Sequence, residues 1–232
     1  MKNKSILKKQ AALRAVQLVQ SEMVVGLGSG TTFRYALEEL GRRVMEGEIK
    51  NVIGIASSLK SEKLAREQGI VLTTFEKYKE IDITIDGADE VDPDLNLIKG
   101  GGGALLREKV LAQASKRNII VVDESKIVNQ LGSRWPVPVE VIPFAWHIEE
   151  DYLHKLGCTT RLRKTKGDKV YLTDQGNYIL DCKFNVIASP DQLAVQLDQR
   201  AGIMAHGLFL GLATDVIVAG TQGIRHITRR SV

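Results

Sequence analysis

Met23-Val24-Val25-Gly26-Leu27-Gly28-Ser29-Gly30-Thr31-Thr32 decides how the rest of the chain is read. Its first half is a short apolar run and its second half a turn of glycines and hydroxyls. Beyond it, Ala36, Leu37 and Leu40 continue at helical spacing to Val44. Strand, tight turn and helix start, in that order, make the opening unit of an α/β sheet. Upstream, residues 4–20 place Leu7, Ala11, Ala15, Leu18 and Val19 on one helical face. Downstream the pattern repeats, with strands at 52–56, 70–73, 81–86 and 118–123 and helices at 58–68 and 104–116. Such alternation predicts a parallel sheet with helices on both faces.

After Gly132 the pattern changes. Strands are expected at 137–142, 159–163, 170–172, 178–184 and 203–210, with helices at 147–156 and from Pro190 onward, capped by Ser189. Apart from the extra short strand at 170–172, this is the β-α-β-β-α-β order of a ferredoxin-like unit. Residues 215–219, Asp-Val-Ile-Val-Ala, form a last apolar run expected to rejoin the first sheet. The fold class is therefore α/β, a Rossmann-like parallel-sheet domain (1–132 and 211–232) with an inserted smaller ferredoxin-like α+β domain (133–210).

The chain has 232 residues, enough for one large or two small domains without staples. At 44% hydrophobic and 26% charged it is an ordinary globular sequence, which excludes long disorder. A net charge of +4 is too even for a dedicated nucleic-acid binder, yet it tolerates a small anionic substrate. No apolar run approaches the roughly 18–20 residues of a membrane span. Cys158 and Cys182 form neither a C-x-x-C pair nor a zinc spacing, and no signal peptide is evident, so a reducing cytoplasm is expected.

Ligands of open α/β sheets sit at the carboxyl ends of the strands. The segments there are residues 28–32, Ser57-Ser58, residues 86–90 and residues 123–126. Gly28-Ser29-Gly30-Thr31-Thr32 reads either as a phosphate cradle or as a tight turn alone. It lacks the lysine of a P-loop and the third glycine of a dinucleotide fingerprint, and Ala56-Ser57 stands where the ribose carboxylate belongs. Lys99-Gly100-Gly101-Gly102-Gly103 is entropically costly and precedes a helix, so its amides suit an anion. Asp86, Asp89 and Glu108 are candidate acids and bases, although a wheel with Leu106, Val110 and Ala114 inward turns Glu108 toward solvent. His147, His154, His206 and His226 show no metal-ligand grouping, and most of them read as surface or core-edge residues. Arg161, Arg163, Lys164, Lys166 and Lys169 read as a solvated basic edge. No G-x-S-x-G elbow occurs.

Asp86-Gly87-Ala88-Asp89-Glu90, Lys99-Gly100-Gly101-Gly102 and Arg107-Glu108-Lys109 resemble ribose-5-phosphate isomerase of type A. Residues 26–32 are similar to that family's first loop, Ser57-Ser58 to its second, Pro138-Val139-Glu140-Val141-Ile142-Pro143 to its linking strand and residues 173–177 to its later hairpin. The likeness runs in order from Lys8 to Thr221. Two departures, Ser-Gly-Thr-Thr for Thr-Gly-Ser-Thr and the added Gly103, keep the chemistry of small or hydroxyl residues.

The resemblance implies interconversion of D-ribose 5-phosphate and D-ribulose 5-phosphate in the non-oxidative pentose phosphate pathway, with no metal and no cofactor. It makes Glu108 the proton acceptor and gives Asp86, Asp89 and Lys99 to ring opening and developing oxygen charge. Ser29, Gly30, Thr31, Thr32, Gly87, Ala88, Gly100, Gly101, Gly102, Lys126 and Lys8 would complete the substrate site. The expected partners are a sugar phosphate and further copies of the chain, as homodimer or homotetramer, with no nucleic acid or membrane. Sugar-phosphate sensors of bacterial transcription regulators share the architecture but carry a DNA-binding helix-turn-helix, for which the 22 residues before Met23 are too few. Coenzyme A transferases and glucosamine-phosphate deaminases are similar in fold and need other catalytic residues.

Overall fold

The computed structural model describes residues 2–184 and 187–229. In chain order the first part contains α1 (Lys2–Val16), β1 (Val24–Leu27), α2 (Gly30–Met45), β2 (Ile53–Ala56), α3 (Leu59–Glu67), β3 (Val71–Leu72) and β4 (Ile81–Asp86). Then follow β5 (Glu90–Val91), β6 (Leu97–Ile98), α4 (Leu105–Gln113), β7 (Ser115–Asp123) and β8 (Val137–Val141). The chain continues through α5 (Trp146–Lys155), β9 (Cys158–Leu162), β10 (Tyr178–Phe184), α6 (Pro190–Asp198) and β11 (Ile203–His206). It ends in β12 (Leu208–Phe209), β13 (Asp215–Gly220) and β14 (Gly223–Thr228).

Seven strands form the main sheet in the order β14-β13-β7-β4-β1-β2-β3, parallel except for the β13–β14 edge pair. Strand β1 and residues 216–219 of β13 are continuous apolar runs because they are covered on both faces, whereas β4 alternates isoleucine with Asp82, Thr84 and Asp86. On one face α1, α2 and α3 bury Ala11, Ala15, Leu37, Leu40 and Ala65 against Val25, Ile83, Ile85 and Val121. On the other, α4 lays Leu111 against Val24, Ile55 and Ile81. From β1 the chain moves to β2 on one side and then to β4 on the other. This reversal opens a crevice at the carboxyl ends of β1 and β4.

The smaller sheet, β11-β8-β10-β9, is wholly antiparallel and has the ferredoxin-like order. Alternate residues face opposite ways. Val139, Val141, Leu180 and Cys182 pack on α5 and α6, while Ile179 and Ala205 pack on Leu105 of α4. Helix α4 is thus wedged between two sheets.

Several boundaries differ from the sequence reading. Residues 170–172 are not a strand; only Val170 bridges to Lys164 across a turn. The helix expected to reach Lys116 stops at Gln113, and Ser115 already begins β7, its hydroxyl tied to Leu111 O and Thr84. The single strand expected over 203–210 is two strands in different sheets. Gly207 separates them, its N–H donating to Pro138 O and its carbonyl accepting from Lys99 N. The β5-β6-β12 sheet and β14 were not anticipated. Ser189 occupies the N-cap position of α6 but makes no capping bond with its side chain. Among the described residues no helix is long and apolar enough to cross a membrane.

Candidate active site

The turn after β1 begins where Gly28 N donates to Ile85 O of β4, 3.0 Å away. A side chain at Gly28 would overlap the Asp86 carboxylate, so this close approach requires glycine. Ser29 is the N-cap of α2, yet its side chain caps nothing. Its Oγ donates instead to Glu108 Oε1, and its N–H donates to Asp86 Oδ1 at 2.9 Å. Diverting the hydroxyl leaves the first amides of α2 for an anion at the positive end of the helix. Thr31 Oγ1 accepts from Lys8 Nζ at 3.0 Å, which brings a cation of α1 to the same place.

Three short strands position the lysine. Asp89 N donates to Ile98 O and Lys99 N to Gly207 O, so β6 delivers Lys99 into the crevice. Its side chain is 4% exposed, with Nζ 2.9 Å from Asp86 Oδ2, 3.3 Å from Glu108 Oε2 and donating to Gly87 O at 2.5 Å. Burial opposes the charge on Lys99, but Asp86 and Glu108 outweigh it and hold the ammonium's pKa above its ordinary value. Asp86, which also accepts from Gly87 N, is pushed up to about 6 by burial, with Lys99 opposing and the Glu108 charge assisting. Burial likewise raises Asp89, although Gly101 N donates to its Oδ2 at 2.8 Å.

Glu108 is buried, contrary to the helical-wheel reading. Helix α4 has apolar partners on two sides, Leu105 toward the small sheet and Leu111 and Ala112 toward the large one, while Val110 is 41% exposed. Glu108 fills the gap between them at the helix N-terminal turn. Its Oε1 is held by Ser29, and its Oε2 has no hydrogen-bond partner although the Lys99 charge lies beside it.

One cleft gathers Lys8, Ser29, Gly30, Thr31, Thr32, Asp86, Gly87, Ala88, Asp89, Lys99, Gly100, Gly101, Gly102, Glu108 and Lys126. Every residue that the family resemblance gives to the substrate site lies on its wall. Lys126, in the short turn after β7, sits over the Trp135 ring at 4.9 Å. Ser57 and Ser58 stay outside the cleft and support it indirectly. Ser58 caps α3 and orients Ser61, whose hydroxyl donates to Gly28 O at 2.6 Å. Among the described residues no three His, Cys, Asp or Glu side chains converge as a metal centre.

Two neighbours escaped the sequence reading. Arg163 is not a solvated edge residue: its side chain is 14% exposed and reaches the glycine run. His206 is buried rather than peripheral. Its Nε2 contacts Asp198, its Nδ1 accepts from Leu208 N, and Lys109 Nζ lies 3.4 Å from the ring. Burial, and then Lys109, push the His206 pKa down to about 4. A folded-state value below the unfolded one means the native protein binds fewer protons between about 4 and 6.5. The associated stability is present above 6.5 and is lost as the pH falls toward 4. Thermal unfolding at pH 7 and pH 5 should therefore show a larger drop in Tm for the parent than for His206→Gln. Equal drops would place the acid lability elsewhere.

Known proteins resemble this chain throughout. The family model described as ribose 5-phosphate isomerase A (phosphoriboisomerase A) matches residues 53–223. Ribose-5-phosphate isomerase A of Desulfatibacillum aliphaticivorans is 52% identical over 227 residues, covering 98% of this chain and 99% of that protein. The solved ribose 5-phosphate isomerase of Plasmodium falciparum superposes with a TM-score of 0.95 at 39% identity, covering 98% of this chain and 100% of the other. A D-ribose-5-phosphate isomerase solved with phospho-erythronic acid gives 0.94 at 37% identity, covering 97% and 98%.

Proposed function

The chain belongs to the ribose 5-phosphate isomerase A family, and from that premise we propose how its own residues divide the work. The enzyme interconverts D-ribose 5-phosphate and D-ribulose 5-phosphate in the pentose phosphate pathway. The observation that carries the residue assignment is Glu108 itself, a buried carboxylate with one oxygen fixed by Ser29 and the other unbonded beside the Lys99 ammonium.

In the open-chain aldose, Glu108 takes the proton from C2, and the electron pair passes through the C1–C2 bond onto the carbonyl oxygen. The resulting enediolate is stabilised by Lys99 and by the amides of the glycine run. Returning the proton to C1 and moving a hydroxyl proton from O2 to O1 completes the ketose without net gain or loss. Asp86 and Asp89, both raised by burial, exchange protons with sugar oxygens during ring opening and the O2-to-O1 transfer. The first turn of α2, with Thr31, Thr32 and Lys8, holds the phosphate, and Lys126 adds charge from the far wall. A cytoplasmic location and a homodimeric or homotetrameric assembly belong to the same proposal; fractionation and light scattering test them.

The phosphate assignment has its own test. Thr31→Val keeps the shape and deletes a hydroxyl, which should cost about 1–3 kcal/mol in kcat/KM if it donates to the phosphate. With unphosphorylated ribose that penalty should largely vanish. A double-difference cycle over both substrates reads this directly. Equal penalties would move the grip away from Thr31, toward Lys8 and Lys126.

A further inference from the structure

The glycine run contributes amides to the cleft, yet it has no side chains of its own to fix their direction. Gly100 (φ +99°) and Gly103 (φ +83°) adopt left-handed conformations, and the run's own hydrogen bond, Gly103 N–H to Gly100 O at 3.0 Å, leaves the carbonyls of Gly101 and Gly102 to be fixed from outside. The constraint comes from the small sheet. Arg163, just after β9, pairs with the buried Asp181 of β10, with Nε to Oδ2 at 3.0 Å and Nη2 to Oδ1. Its remaining nitrogen, Nη1, donates to Gly100 O at 2.9 Å and to Gly101 O at 3.3 Å. Tyr171, whose N–H donates to Arg163 O, reaches Gly102 O through its hydroxyl at 3.3 Å. Three successive carbonyls are held by two residues of one segment.

In a trans peptide the C=O of one residue and the N–H of the next point in opposite directions, and the described residues contain no cis bond. Drawing Gly100 O to Arg163 therefore sends Gly101 N–H the other way, onto Asp89 Oδ2 at 2.8 Å. Drawing Gly101 O to Arg163 sends Gly102 N–H away likewise, and among the described residues that amide has no protein acceptor. Gly102 lines the cleft, and the nearest atom to a side chain built there is Ser29 Oγ, the hydroxyl bound to Glu108. A cation on the two carbonyls also polarises those peptides and strengthens their N–H groups as donors.

We propose that Arg163, anchored by Asp181, is a positioning residue that sets the peptide planes of Gly100 and Gly101 and so aims the Gly102 N–H at the reacting oxygens. The inference rests on the isomerase reading and gives the small domain a part in the chemistry. A lysine could not replace Arg163, because a point charge cannot hold the planar fork on Asp181 and reach two carbonyls together.

The test uses Arg163→Lys and the double variant Arg163→Met/Asp181→Leu, which avoids an unpaired buried carboxylate. Each is assayed for kcat and KM with ribose 5-phosphate. Calorimetry then measures binding of phospho-erythronic acid and of inorganic phosphate. The carboxylate of the former places two oxygens on one planar carbon, as an enediolate places O1 and O2 on adjacent ones. Both variants should lose about 10–100-fold in kcat, since a donor is misaimed rather than removed, with KM changed less than about threefold. Phospho-erythronic acid affinity should fall with kcat, while phosphate affinity stays constant. Unchanged kcat and unchanged phospho-erythronic acid affinity in the double variant would overturn the proposal. So would a proportional loss of both ligands, which marks general damage to the fold. A parent protein that makes no ketose would instead refute the isomerase reading, and the two binding constants would still decide the role of Arg163.

Discussion

Glu108→Gln should lower kcat by roughly 10²–10⁴ and leave KM within about threefold, because it removes the base and little else. The site tolerates the amide well. Its nitrogen can donate to Ser29 Oγ and its oxygen can face Lys99, so both partners of Glu108 keep a polar contact. The phosphate cradle at the start of α2 is untouched, so ground-state binding persists. The Glu108 charge is also one of the causes that raise Asp86, so the Asp86 titration should move down from about 6 in the variant. Carboxyl-carbon NMR reads that movement independently of turnover. Near-normal kcat would remove Glu108 as the base; a lost turnover with an unmoved Asp86 would mean the two carboxylates do not share a field.

Glu108 also marks where the sequence became hard to read. The central strands were legible because burial on both faces leaves apolar runs such as residues 118–123, and polar segments after such strands mark a ligand edge whatever the ligand is. The wheel for α4 failed because it assumes one apolar face, and this helix serves two sheets. Two-residue strands such as β5, β6 and β12 carry no period at all, yet β6 is what delivers Lys99. Arg163 looked like part of a basic edge because its partners, Asp181 and two glycine carbonyls, lie 18 and more than 60 residues away in sequence. Gly103 has a structural answer that no spacing could suggest: a side chain there would overlap the Tyr171 ring. The residues that line the cleft were therefore visible from the chain, and the contacts that aim them were not.

Lys99→Met tests the centre of the site and should have the largest combined effect. Methionine nearly keeps the length and volume of the side chain but removes a cation buried between Asp86 and Glu108. The enediolate loses its main charge partner, and kcat should fall by about 10³-fold or more. Stability should suffer as well, because removing one partner of a buried ion pair typically costs about 3–5 kcal/mol. The sign of the pH dependence distinguishes this from simple loss of packing. Without Lys99 the buried Asp86 keeps the burial and the Glu108 charge that raise it and loses the cation that opposes them, so its folded pKa rises further above the unfolded value near 4. The folded variant then binds more protons at Asp86 than the unfolded chain does, and its stability falls as the pH rises from about 4 through that raised value. Relative to the parent, the Tm deficit of Lys99→Met should be largest at pH 8 and should shrink steadily toward pH 5. A deficit that is the same at both values would mean that Lys99 only fills space, and turnover near that of the parent would mean that the enediolate charge is carried by the glycine amides alone.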